Sequence, residues 1–523
     1  MNHIRGLALA LALVLLLSAC AFTAEPAPEP TVPEDETTVS ETPQQDEPEE
    51  PSSAAPTMLS FCYNAKDTLN PYKAETSVNQ QLLGLIYEGL FAVDPKGHAE
   101  CRLCSRYEVS SDGRTYTLYL RRGVTMHDGK TMTTQDVIAS LKAAKSSSRY
   151  AYRLRHILSI LSVQSGAVTI ELDTAYEDLP LILDVPIVRA GEVSAAAPSG
   201  TGPYRRTGTR LNRFADYWQG EDAQNYGEHL RLYKAASADE ICAAFTDGRV
   251  SLACVDPNGG AGPTYHCVSD LYAQETNQMQ YLGFNTAAGM FRSETLRAAV
   301  TYLIDRETLV AELCSSFASP AVLPCSPASD RYDRVLAQRY GYDPEKYWSV
   351  IESAGIRDLD SDGVLDRFPE DTEIEARGTL LVQAGYPERL RLAQRIADKL
   401  QSYGIELHVK ALAGDEYKYA LRIGNYDLYL GETALAPDGD LSVFFDPAGS
   451  LCLEGMVNED LLYRCELALE NAGNFYTLYE AILDQGLLCP IAFKQYAVYV
   501  QSGLGLSLTP ALGNLYYTAW SEE

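Results

Sequence analysis

Between residues 21 and 57 the chain cannot build a core. That stretch carries eight prolines, ten Asp or Glu and no Lys or Arg. Its apolar surface is too small to offset the entropy of ordering it, and its like charges extend it. Residues 20–57 therefore read as an acidic, Pro-rich tether, and any fold is confined to 58–523. That remainder is long enough for two or three structural units. Hydrophobic residues make up 46% of the chain, a globular proportion. The formal charge is −29, and residues 58–523 alone hold 41 basic against 61 acidic groups. A surface of that sign opposes the phosphate contacts of nucleic acid and docking on anionic lipid. It carries a weaker hint of cationic ligands.

The residues before the tether set the compartment. Arg5 supplies a positive n-region, and Leu7 to Leu17 form an apolar run of eleven residues. That is too short to span a bilayer and right for a signal peptide, residues 1–19. The run ends in Leu17-Ser18-Ala19-Cys20, which resembles the bacterial lipobox. Cys20 is then the expected lipidation site, and two acyl chains on it would hold the protein at the membrane. The expected location is extracytoplasmic, anchored as a lipoprotein.

Eleven further cysteines lie in the body, an odd number, so at least one cannot pair within the chain. Cys101-Arg102-Leu103-Cys104 is a C-x-x-C without a second C-x-x-C or H-x-H partner nearby. Zinc is disfavoured there, and a local redox or disulfide role stays open. Buried thiols acting as small hydrophobes are the reading for most of the others.

Helix and strand signals alternate along the body. Arg114–Leu120 reads as a strand after the Asp112-Gly113 turn, and a helix is expected from Thr134. In 388–404 the apolar positions Leu390, Ala393, Ile396, Ala397 and Leu400 share one helical face. Gly404 follows as a helix stop, and Ile405–Val409 alternates like a strand. Helix running into strand is α/β grammar. Gly129-Lys130-Thr131 ends like a phosphate loop, but Val124 stands where its leading glycine is required. No H-E-x-x-H or G-x-S-x-G occurs, and the seven His show no metal-ligand spacing. No catalytic machinery and no cofactor are expected.

Five stretches in order carry a family resemblance. They are Leu69-Asn70-Pro71 with Gln81 to Leu90; Tyr107 to Lys130 with Asp136; Gly200-Thr201-Gly202-Pro203-Tyr204; Tyr281 to Thr286 with Ile304-Asp305-Arg306; and Gly404 to Leu407 with Tyr426-Asp427-Leu428. Together they resemble the family 5 extracellular solute-binding proteins, the peptide/nickel-type receptors of ABC importers.

The resemblance implies a two-lobed α/β fold of the periplasmic-binding-protein type II kind, extended by a subdomain and hinged between lobes. It places lobe I in 58–275, with an inserted subdomain near 95–195, lobe II in 276–474, and a return to lobe I in 475–523. The implied function is capture of a short peptide or similar small solute and delivery to an ABC permease and its ATPase, by a monomer. A sensing or interaction lipoprotein that keeps the fold without an importer is the alternative, and adjacent permease and ATPase genes would separate the two. A nickel-chelate receptor is disfavoured by the scarcity of His.

The resemblance also directs attention to the segment after Gly431. Peptide-binding members hold the ligand amine with an acid there, so Asp438 and Asp440 are candidates, with Glu432 standing where a Trp is common. His127 and the glycines Gly200 and Gly202 are expected to be scaffold, the glycines supplying backbone freedom in a tight turn. Asp358, Asp360, Asp362 and Asp366 occupy positions 1, 3, 5 and 9 of a calcium-type loop, with Gly363 at 6. Position 12 is Pro369 rather than Glu, so a solvated turn is the expectation there and calcium the lesser alternative.

Overall fold

Two strands organise the molecule. In the computed structural model, which describes residues 58–220, 224–260, 262–314, 317–366, 368, 374–506, 508 and 510–517, the longest strands are Ser269–Phe284 and Leu488–Gln501. They pair antiparallel from Ser269 opposite Gln501 to Gly283 opposite Leu488, with the register broken between Glu275 and Met279 and again between Gln280 and Tyr281. The signal peptide, Cys20 and the tether lie outside the described residues.

Each end of this ribbon enters a different hydrophobic core. Val498 and Val500 pack with Phe61, Leu82, Leu230 and Leu252 in one. Tyr281, Leu282, Phe284, Leu488, Ile491 and Phe493 pack with Leu380, Ile396 and Leu400 in the other. On the first side, Leu252–Val255 pairs with the ribbon, then Ser60–Tyr63 and His229–Lys234 follow in parallel. On the second side, Leu428–Ala434 runs antiparallel to Ser269–Phe284, followed by the parallel strands Arg377–Gln383 and Glu406–Leu412. All belong to one eleven-stranded mixed sheet. A separate antiparallel sheet joins Cys104–Val109, Thr115–Leu120, Ala167–Leu172 and Ile157–Gln164, with the helix Thr134–Lys145 against it.

Local sequence explains the elements. The helix Thr134–Lys145 opens with a Thr133/Asp136 capping box. Pro387 sits in the first turn of Pro387–Gln401, and the chain leaves that helix through Gly404 at φ +85°. One position departs from the apolar spacing: Leu390 is exposed and Arg389 is buried. Arg389 turns inward because its guanidinium stacks on Tyr386 at 3.9 Å and reaches Glu432 at 2.7 Å. Gly200 and Gly202 also serve a different need from the one expected. Neither has positive φ, and a Cβ on either would lie within 2.5 Å of the Ile86 backbone, so both give space rather than freedom. His127 is buried between them, its Nε2 donating to the Gly202 carbonyl at 2.9 Å and its Nδ1 accepting from Gly200 N–H. Burial pushes this imidazole down to about 4.

The strands Ser269–Phe284 and Leu428–Ala434 are locked by a reciprocal exchange. Tyr281 lies opposite Gly431, and Gly283 opposite Tyr429. Each tyrosine ring covers the facing glycine, so that a Cβ on Gly431 would stand 2.5 Å from the Tyr281 ring and one on Gly283 2.2 Å from that of Tyr429. Gly431→Ala and Gly283→Ala are each expected to cost about 1–3 kcal/mol by overpacking. Gly191→Ala, with open space and no positive φ, is expected to stay within about 0.5 kcal/mol. Urea unfolding of the three variants checks this.

Candidate functional site

A cavity of about 640 Å³ lies between the two cores. Its floor is the ribbon, through Gln274, Thr276, Gln278 and Tyr496. From the first core come the helix Ser77–Ile86, Glu88, and the Arg149–Arg153 segment. From the second comes the chain Thr433–Pro437, where the strand Leu428–Ala434 runs out beside the cavity. Asn514 closes one wall by seating its carboxamide over Gly84, where a Cβ would meet Oδ1 at 2.4 Å.

The wall is charged, and most of its charges are matched. Arg153 pairs with Asp184 and also donates to the Ile182 carbonyl at 2.8 Å. Glu88 accepts from Trp218 Nε1 at 2.9 Å and from the Tyr217 hydroxyl at 2.8 Å. Burial raises the Glu88 carboxyl against the pull of those donors. Arg102 stands 3.9 Å from Glu100 and over the Tyr517 ring.

The three carboxylates expected from sequence fall in different places. Asp440 lines the cavity, while Asp438 and Glu432 do not. Asp440 accepts from Arg155 at 2.7 Å, from Ser442 N–H at 2.9 Å and from the Ser442 hydroxyl at 3.0 Å. Asp438 is buried beside it and accepts from the Tyr176 hydroxyl, while the Asp438 carbonyl accepts from Arg331. Burial, and then the Asp440 charge, raise the Asp438 carboxyl. Tyr152 adds a bond to Asp446 at 3.1 Å, and Arg331 one to Asp178 at 2.6 Å. These bonds tie 152–178 to 331 and 438–446 across the cavity's margin. Glu432 belongs to another cluster, held by Arg389 at 2.7 Å and Lys494 at 3.2 Å. Lys494, fully buried, also bonds Asp256.

Sequence reasoning did not single out Glu88, Arg149, Arg153 or the ribbon glutamines. A signal existed for some of them. Glu88 stands within the Gln81 to Leu90 stretch, and residues 149–155 place three arginines around two tyrosines.

The Asp-rich loop lies apart from the cavity, exposed at the protein surface. Asp358, Asp360 and Asp366 each bring an oxygen within 4.8 Å of the others, whereas Asp362 turns to Arg377. Backbone N–H groups occupy much of this set: Ser361 and Gly363 donate to Asp358, Asp362 to Asp360, and Leu359 to Asp366. The carboxylates thus cap the turn that their own sequence makes.

Residues 99–450 match the family described as bacterial extracellular solute-binding proteins, family 5 middle. Among curated relatives, the glutathione-binding protein GsiB of Salmonella choleraesuis is 27% identical over 310 residues, 56% of this chain and 60% of GsiB. GsiB of Escherichia coli K12 is 26% identical over 332 residues, 57% and 63% of the two chains. The chain thus spans about 60% of the length of these relatives. Among solved structures, NikA from Brucella suis in complex with Fe(III)-EDTA superposes with a TM-score of 0.70 at 17% identity, covering 88% of this chain and 98% of NikA. The oligopeptide-binding protein AppA from Bacillus subtilis, in complex with a nonapeptide, gives 0.61 at 17%, covering 86% and 95%. These likenesses show a shared α/β fold. No helix among the described residues is long and apolar enough to cross a membrane.

Titration of the protein with calcium at physiological ionic strength is expected to give no saturable heat. A sub-millimolar site lost in Asp360→Ala would contradict that expectation.

Proposed function

The chain belongs to the bacterial extracellular solute-binding proteins of family 5, and from that premise we propose that it is the substrate receptor of an ABC importer. The ligand is a short peptide or similar small solute, held between two lobes expected over 58–275 and 276–474, with the return segment 475–523 divided between them: Leu488, Ile491 and Phe493 pack in the second core, Val498 and Val500 in the first. The observation that carries this reading is the cavity itself. It lies between two separate cores, and at about 640 Å³ it is within the range of small-molecule sites. Walls from both cores let one ligand bridge them, which is the condition for hinge closure. The lobes close over the solute, and the closed form delivers it to a permease and its ATPase. The protein acts without catalysis, as a monomer.

Two features support a peptide-like ligand. The chain Thr433–Pro437 offers main-chain groups beside the cavity, where an extended ligand backbone can pair irrespective of its side chains. Asp440 supplies a carboxylate already fixed by Arg155 and Ser442. Three hydrogen bonds leave about one of its four acceptor positions for a ligand ammonium. Asp438 then acts through Asp440 rather than on the ligand.

A peptide-library screen by thermal shift tests the assignment. For any hit, N-acetylation and Asp440→Asn are each expected to weaken binding about 30-fold or more, equivalent to roughly 2–5 kcal/mol for an unmatched desolvated charge. N-acetylation is expected to cost little further in the Asp440→Asn background, which separates contact with the amine from a structural role. Peptide binding indifferent to both changes would reject the amine contact. Binding only of a sugar or metal chelate would reject the peptide reading.

The tether and Leu17-Ser18-Ala19-Cys20 complete the proposal: the mature chain begins at a diacylglyceryl Cys20 and is held at the membrane. Cys20→Ser is expected to leave the protein unprocessed or released from the membrane fraction. A processed, lipid-labelled Cys20→Ser protein would contradict the anchor.

A further inference from the structure

Cys101 ends the strand Ala99–Cys101, Cys104 begins the strand Cys104–Val109, and the chain bends at Arg102–Leu103 between them. The bend is pinned. The N–H groups of Arg102 and Cys104 both donate to the Leu90 carbonyl at 3.0 Å, and that of Leu103 donates to Gly89 at 3.4 Å. From the other side, Arg121 N–H donates to the Leu103 carbonyl at 2.8 Å, and its Nε to the Arg102 carbonyl at 2.9 Å. Only Arg102 and Leu103 separate the two cysteines across this bend, and a disulfide needs Cα atoms roughly 4.4–6.8 Å apart. The two thiols lie in hydrogen-bonding contact. Their exposure differs: Cys101 is partly accessible, whereas Cys104 is fully buried and donates its S–H to the Arg106 carbonyl at 3.1 Å.

We infer that Cys101 and Cys104 form a modification site, a dithiol that a low-molecular-weight disulfide converts to an intrachain disulfide. Membership of an extracellular family places this pair where such chemistry operates. The Cys101 thiolate attacks one sulfur of the external disulfide and expels the other as a thiolate, leaving a mixed disulfide on Cys101. Cys104 then loses its proton to water and attacks the Cys101 sulfur, expelling the second small thiolate. Two cysteine thiols give up two electrons and two protons, and one external disulfide becomes two thiols. The contact with Cys101, and then burial, hold the Cys104 thiol well above its ordinary range, so Cys101 makes the first attack. The staple fixes the bend from which Arg102 enters the cavity wall.

The test exposes the reduced full chain to oxidised glutathione, quenches with an alkylating agent and maps the peptides. The fragment holding Cys101 and Cys104 is expected to be two hydrogens lighter and unalkylated in most molecules. Cys267 and Cys452, also partly exposed, should remain alkylated or carry glutathione. Cys104→Ser is expected to accumulate glutathione on Cys101, and Cys101→Ser to leave position 104 unmodified. Alkylation of both Cys101 and Cys104 in the wild-type chain after oxidation overturns the inference, as does a bond from either to another cysteine. The wild-type map decides the matter alone if a Ser variant fails to fold.

Discussion

The structure depends on a two-stranded ribbon that serves two cores at once. Residues of Ser269–Phe284 and Leu488–Gln501 near Tyr281 and Leu488 are packed into one core, and those near Val498 into the other. Where the cores part, the ladder loses its register between Glu275 and Met279. Broken pairing leaves backbone less constrained than a continuous ladder does, and here it coincides with the floor of the cavity. Lys494 lies in the same stretch. With no exposed surface it depends on Asp256, beyond the strand Leu252–Val255, and on Glu432, on Leu428–Ala434. A buried ammonium that lost either partner would be expensive, so this cluster holds the two halves of the sheet in one relation at their junction.

Around that junction the carboxylates divide by role. Glu432 balances Lys494 and Arg389. Asp438 takes the Tyr176 hydroxyl in a buried site, and Asp440 takes Arg155. Both partners come from the far side of the cavity. The loop 438–446 is therefore a contact between the two halves as well as a wall, and anything that binds Asp440 also bears on how firmly the halves meet.

Much of this fold was legible in the sequence because its determinants are local. The helix from Thr134, the Gly404 helix stop and the strand after Ile405 each announce themselves within a few residues. The site was legible only in part. Asp440 emerged because it follows a motif in the chain, but its partner Arg155 is 285 residues away, and no local pattern reports such a pairing. Arg389 reversed the apolar reading of its helix for the same reason: Glu432, which draws it inward, lies on another element. The roles of Gly200, Gly283 and Gly431 were hidden because each is set by atoms that arrive from elsewhere, whether the Ile86 backbone or a tyrosine ring across the ladder. The Asp358–Asp366 turn shows the converse, since its carboxylates are used locally by the backbone that their own spacing shapes.

Closure of the two cores over a bound solute, about the interrupted ribbon that they share, is the central claim of the proposed function. Small-angle X-ray scattering of the protein with and without a saturating peptide measures it most directly. For a body of this length the radius of gyration is expected near 23 Å, by the usual scaling with chain length. The account predicts a decrease of roughly an ångström on binding, as the two halves approach across the cavity. A radius of gyration unchanged at saturation would mean that the ribbon does not bend, and would contradict it.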